Sequence, residues 1–372
     1  MHTVLDSIAT ANPSFEVSQV AAMKFMSQLE GLSPATRDRG SVIYTRSGID
    51  KRYSCLPDYL CEPEDFSFYP NNWKLEPPPS THDRNQKYQT SALAIAEAAA
   101  HQAIQSAQLD PAEITHLIVV SCTGFAAPGL DIQLVKRLGL PAQTDRTLIG
   151  FMGCYAAFNG LKTAHALCQS HPRARVLMVC VELCTLHFQA EDSIESVIIN
   201  ALFGDGAAAA ILSTRSTAEA QGQLAYVEGC SLLTEDTMDL MTWTISNTGF
   251  LMHLSSKVPS AIVQSLNQYL TTFLERHHLT YHQIDFWAIH PGGRQIVDKI
   301  QFLLELSDAA VSDSYEVLRN YGNMSSCTIL FILKRLLAQH QAGLPQGKGF
   351  QNGLALAFGP GLTIEGCLFQ PV

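Results

Sequence analysis

A chain of 372 residues is long for one ordinary core and predicts two domains or two fused lobes. Apolar residues make up 47% and charged residues 16%, which excludes a disordered chain, and a net charge of −10 leaves no electrostatic footprint for nucleic acid. Met1 is followed by HTVLDSIATANP, without the basic-then-apolar order of a signal peptide, and Gly and Pro break the longest apolar runs short of a membrane span. The ten cysteines lack the dense spacing of a disulfide scaffold and read as reduced thiols. The expectation is a soluble cytoplasmic protein with neither a nucleic-acid nor a membrane partner.

In chain order, the segment 52–84, rich in Pro, Asp and aromatics, reads as a long loop on the surface or over the site. TSALAIAEAAAHQAIQSAQ (90–108) is predicted helical, HLIVVSC (116–122) a buried strand, AAFNGLKTAHALCQ (156–169) a helix and RVLMVCVEL (175–183) a strand. Polar, aperiodic STRSTAEAQGQ marks a lobe boundary, giving lobes 1–220 and 221–372. Beyond it come strand IDFWAIH (284–290), helix SSCTILFILKRLLAQHQ (325–341) and strand GLALAFG (353–359). The alternation predicts an α/β fold with a largely parallel sheet and helices on both sides. The pattern runs about twice, although the halves share too little sequence to establish a repeat.

Polar groups fall at strand ends and helix starts, where open α/β sheets place their ligands. In FMGCYAAFNG, Cys154 precedes a helix whose unpaired N–H groups and dipole favour a thiolate; a buried packing cysteine is the commoner fate of a free thiol. His290 ends a strand before PGG and, alone, is equally well a satisfied core histidine. Asn323 in YGNMSS is equally well a turn or cap residue. Together they form an activated-nucleophile set, with Cys attacking, His as its ion-pair partner, and His and Asn donating to a developing oxyanion.

FMGCYAA, ALFGDGAAAA (201–210), IHPGG (289–293), YGNMSS and AFGPGLTIEG (357–366) resemble, in order and spacing, the signature blocks of the type III polyketide synthases, the chalcone synthase superfamily. The resemblance starts at ATANP (9–13) and spans nearly the whole chain. It implies a thiolase-like αβαβα fold of two pseudo-equivalent lobes, a homodimer, and a catalytic triad of Cys154, His290 and Asn323. It also implies the reaction: an acyl-CoA starter loads Cys154, malonyl-CoA decarboxylates, and the poly-β-keto chain grows and cyclises. CoA thioesters would be substrates, with no cofactor and no metal; an acyl carrier protein is a further candidate partner.

Phe203 matches the family's phenylalanine that gates the CoA tunnel, with a core aromatic as the alternative. Met252 stands where the second gate phenylalanine belongs, with core packing an even alternative. Ala127 replaces a methionine that reaches into the partner's cavity in plant enzymes, and His187, Cys184, Trp243 and Pro360 fall at pocket-lining positions. These departures look more like bacterial members that make alkylpyrones, alkylresorcinols or small phenolic products. Arg46, Lys51 and Arg52 in RSGIDKRY match a basic segment at the tunnel mouth and are candidates for the CoA phosphates, with a solvated charge cluster as the alternative. Cys180, Cys184 and His187 are composed like metal ligands, but strand-like alternation would put Cys184 and His187 on opposite faces. The alternatives are a ketoacyl-ACP synthase III, which shares the triad and fold, and a non-catalytic paralogue; a papain-like protease fits the Cys, His, Asn order but not the GCYAA context.

Overall fold

The computed structural model describes residues 1–341 and 351–372. Its strands are β1 (His2–Ala11), β2 (Phe15–Ser18), β3 (Lys51–Ser54), β4 (His116–Ser121), β5 (Asp145–Gly150), β6 (Arg175–Leu183), β7 (Asp205–Arg215), β8 (Leu224–Leu233), β9 (Met241–Ser246), β10 (Gly249–Leu254), β11 (Phe286–Ile289), β12 (Gly353–Gly359) and β13 (Thr363–Pro371). Nine of them hydrogen-bond in the order β11-β12-β13-β8-β1-β7-β6-β4-β5, while β2 pairs with β3 and β9 with β10.

The order contains its own repeat. Outward from the central β1–β8 pair, the series β1-β7-β6-β4 and β8-β13-β12-β11 each run antiparallel, antiparallel, parallel. The sheet is therefore mixed rather than largely parallel: β4–β5, β4–β6 and β11–β12 are parallel and the other pairings antiparallel. The cause is local. The turn between β12 and β13 is too short for a crossover, and β7 returns beside β6 in the opposite sense.

Side-chain alternation builds five layers. On β6, Val176, Met178 and Cys180 face a central core with the helices Ala156–Ser170 and Thr328–Gln341, while Leu177, Val179 and Val181 face an outer core with the helix Thr81–Ser106. On β12, Ala355 and Ala357 join the central core, and Leu354, Leu356 and Phe358 face the helices Val258–Glu275 and Arg294–Leu303. The result is α, β, α, β, α. Small residues let the central layer close up: a Cβ on Gly160 would stand 2.5 Å from the Met178 sulfur.

The segment 52–84 lies partly at the surface and partly against a cavity, which Arg52, Tyr53, Ser54 and Tyr59 line. It opens in β3, and buried Asp58 gathers its chain by accepting from Ser67 N and Oγ, Phe68 N and Tyr69 N at 2.8–3.0 Å. Tyr59, Phe66 and Tyr69 then bury against Phe25 and Phe188. At its end a Ser80–Asp83 capping box starts the helix Thr81–Ser106.

Candidate active site

Cys154 sits in a short 3-10 turn, Gly153–Tyr155, that leads directly into the helix Ala156–Ser170. Gly153 has φ +79° and a Cβ there would meet Pro360 Cδ at 2.5 Å, so the turn before the thiol demands glycine on two counts. Pro360 comes from the β12–β13 turn, which thus presses one lobe's end against the other's nucleophile.

His290 follows β11 and is tied by its N–H to Leu356 O on β12 at 2.8 Å. Asn323 follows Gly322, whose φ of +66° ends the helix Asp308–Tyr321. The Asn323 side chain is fully oriented: Oδ1 accepts from Ser325 N at 2.8 Å, Nδ2 donates to Gly292 O at 3.2 Å, and Nδ2 lies 3.9 Å from Cys154 Sγ. Gly292 N in turn donates to His290 O at 3.0 Å, so the IHPGG turn and Asn323 form one unit. One Nδ2 hydrogen is left for the space beside the sulfur.

His290 is 1% exposed, and among the described residues neither ring nitrogen has a hydrogen-bond partner. Burial pushes it down to about 3. Burial likewise pushes the Cys154 thiol up to about 11; Ser325 and Asn323 oppose this and the Glu182 charge adds to it. For each group taken alone, desolvation thus outweighs the helix N-terminus. Passing the thiol proton to the imidazole leaves the pair's net charge at zero, so the two can ionise together where neither ionises alone.

The thiol opens on a cavity of about 250 Å³ lined by Cys154, Cys184, His187, Phe203, Trp243, Met252 and Pro360. Arg52 also lines it, but its guanidinium is turned to the carbonyls of Asn200 and Phe203. Lys51 is paired with Glu16 at 2.7 Å, and Arg46 is exposed at the end of the helix Pro34–Arg46. Ala127 is exposed and stands outside the lining.

Cys184 and His187 occupy a 3-10 turn rather than a strand, so the alternation expected there does not apply, and both reach the cavity. His187 uses both nitrogens: Nε2–H donates to Thr123 O at 2.8 Å and Nδ1 accepts from Phe250 N at 3.0 Å. Burial holds it down near 4, in the neutral form this pattern needs. Its ring stacks on Phe250 at 4.3 Å, Trp243 stands edge-on to both, and Trp243 Nε1 donates to Cys122 O. Among the described residues no group of three His, Cys, Asp or Glu side chains is placed to hold a metal ion.

Sequence reasoning passed over Glu182. This buried carboxylate at the end of β6 accepts from Cys122 N (3.0 Å), Thr123 Oγ1 (2.8 Å) and Ser326 Oγ (2.5 Å), and burial raises it to about 7. A lone acid in the apolar run RVLMVCVEL was the available signal.

Two sequence profiles divide the chain: chalcone and stilbene synthases, N-terminal domain, over residues 2–216, and the C-terminal domain over 230–372. The α-pyrone synthesis polyketide synthase-like Pks18 of Mycobacterium tuberculosis is 33% identical over 369 residues, covering 99% of this chain and 91% of that protein. Among solved structures, PKS-I of the brown alga Ectocarpus siliculosus superposes with a TM-score of 0.94 at 37% identity, covering 100% of this chain and 98% of that one. The C-terminal type III polyketide synthase domain of Steely1 from Dictyostelium superposes at 0.89 with 25% identity, each chain fully covered. With its nucleophile turn, IHPGG turn and oriented asparagine in one site, the chain belongs to the chalcone and stilbene synthase family, the type III polyketide synthases.

Proposed function

We propose that the enzyme, a decarboxylative condensing acyltransferase by family, loads an aliphatic acyl-CoA on Cys154, extends it with malonyl-CoA and closes the product as a pyrone. The observation that carries the residue roles is the Asn323 amide, held by Ser325 and Gly292 with one N–H left toward the Cys154 sulfur. In loading, the thiol proton passes to His290 as sulfur attacks the thioester, and then to the departing CoA thiolate. His290 is neutral again for extension. As malonyl-CoA loses CO₂, the electron pair of the broken C–C bond moves into the thioester enolate, whose oxygen takes hydrogen bonds from the His290 N–H and Asn323 Nδ2. The enolate carbon attacks the Cys154 thioester and expels the thiolate. Donors buried in a water-poor site contribute more than in water, and losing one costs on the order of a hundredfold in rate.

The lobe 1–220 supplies the nucleophile and the lobe 221–372 the two donors. The His187–Phe250–Trp243 wall supports an aliphatic rather than an aromatic starter, and the likeness to Pks18 supports lactonisation to a pyrone. Phe203 and Met252 gate the cavity, and Arg46 and Lys51 meet the CoA phosphates. A second copy covers the edge strand β5, whose residues Asp145 to Leu148 are exposed, as is Ala127. An acyl carrier protein is an alternative starter donor.

The test is mass spectrometry of products from purified protein given malonyl-CoA with acetyl-, hexanoyl-, long-chain and aromatic acyl-CoAs. Pyrones from the aliphatic starters support the reading. Products from the aromatic starter alone overturn the starter class, and no product from CoA or carrier-protein starters overturns the reaction.

A further inference from the structure

The helix Ile194–Leu202 ends at Phe203, and every carbonyl of its last turn has a donor. A helix leaves these groups without intrahelical partners, so each must be met from elsewhere. Ile199 O accepts from Phe203 N at 3.3 Å. Asn200 O accepts from Arg52 Nη1 at 2.6 Å, Ala201 O from Gln19 Nε2 at 2.9 Å, and Leu202 O from the backbone N–H of Asn323 at 2.9 Å. Phe203 O returns to the same Arg52 Nη1, at 2.8 Å. Gly204 N then donates to Asn323 O at 3.0 Å, pairing Phe203 with Asn323 in a parallel bridge.

Arg52 is 3% exposed, and among the described residues no carboxylate forms an ion pair with it. Its guanidinium lies 5.8 Å from the Tyr44 ring centre, and its charge sits at the negative end of the helix dipole. Space around it is tight: a Cβ on Gly204 would stand 3.1 Å from Arg52 Cβ and 2.7 Å from Tyr321 O.

We infer that Arg52 is a positioning residue that holds Phe203 and Asn323 in register with each other. The inference rests on the roles proposed above for those two side chains. Arg52 fixes the Phe203 carbonyl, the bridge carries that position to the Asn323 backbone, and the Asn323 amide then meets the enolate. Without the guanidinium, Asn200 O and Phe203 O lose their donor and the bridge is free to shift. A misplacement near 1 Å can cost on the order of a hundredfold in rate. Cys154 stands on a separate element and keeps its place.

The experiment compares Arg52→Met, Arg52→Lys and Gln19→Leu with the wild type. Gln19→Leu strips a donor from the same turn without touching Phe203 or Asn323. The expected result for Arg52→Met is at least a tenfold lower kcat for malonyl-CoA decarboxylation with KM within about twofold, while acylation of Cys154 by the starter stays within about twofold. Arg52→Lys regains part of the loss, and Gln19→Leu stays within about twofold throughout. Amide hydrogen exchange at Asn323 and Gly204 accelerates in Arg52→Met and not in Gln19→Leu. A raised KM with kcat kept and a changed salt dependence would make Arg52 a phosphate contact and overturn the inference, as would unchanged kcat and exchange. If Arg52→Met does not fold, Arg52→Lys decides, through at least a threefold loss of kcat against none. Exchange reads the bridge whatever the chemistry, so a wild type inert toward malonyl-CoA counts against the proposed reaction, and unchanged exchange against Arg52.

Discussion

Asn323 Nδ2 stands 3.9 Å from Cys154 Sγ, and its partners Ser325 N and Gly292 O fix which way the amide faces. Asn323→Asp keeps the shape and replaces the donor by a carboxylate that repels the enolate. The expected loss in malonyl-CoA decarboxylation is at least a hundredfold; a loss under threefold places the oxyanion elsewhere.

With burial pushing the thiol up to about 11 and the imidazole down to about 3, the form of Cys154 expected in the unliganded enzyme at neutral pH is the thiol. Its alkylation by iodoacetamide, followed by peptide mass spectrometry, is expected to rise about tenfold per pH unit between pH 7 and 9. A rate already flat from about pH 6 would show a standing ion pair instead.

Burial raises Glu182 to about 7, so it is expected to hold its proton to about that pH in the folded protein, whereas an unfolded glutamate releases it near its ordinary value of 4.5. Between these values the native state binds more protons, so this group's contribution to stability falls as pH rises, by up to about 3 kcal/mol across the window. Glu182→Gln removes the titration. The melting temperature of the variant relative to wild type is therefore expected to climb from pH 5 to pH 8, and a constant difference contradicts the assigned protonation.

Much of this site is legible in the sequence because chemistry and backbone geometry coincide there. Gly153, Gly292 and Gly322 mark turns that hold Cys154, His290 and Asn323, and the strands β6 and β12 begin and end where their apolar runs do. Other features are hidden because the deciding neighbours are remote in the chain. AAAA in β7 suits a helix by propensity, yet Ala207 and Ala209 face one core and Ala208 and Ala210 the other, where only small side chains fit. Arg52 reads as a candidate for the CoA phosphates, with a solvated cation as the alternative, and only the folded helix end shows its guanidinium on the carbonyls of Asn200 and Phe203. Likewise, His187 and Trp243 read as separate departures, and only the fold brings their rings edge to face and sets Phe250 against both as one wall.

His187, Trp243, Phe250 and Met252 line the cavity, so substitutions there are expected to change which starter lengths are accepted. Trp243→Gly opens space behind the His187–Phe250 stack, and Met252→Phe adds bulk beside it, since Met252 pairs with Trp243 across β9 and β10. The ratio of kcat/KM for long-chain over hexanoyl-CoA is expected to rise about tenfold in the first and fall about tenfold in the second, equivalent to about 1.4 kcal/mol each. Identical product profiles would remove both residues from the chain's path.

In the proposed reaction, Cys154 carries the growing acyl chain. Intact-protein mass spectrometry after mixing the enzyme with hexanoyl-CoA, without malonyl-CoA, tests it directly. One acyl adduct per chain, mapped to Cys154, absent from Cys154→Ala and discharged by malonyl-CoA, is the expected result. An adduct that persists in Cys154→Ala, or turnover without one, contradicts the account.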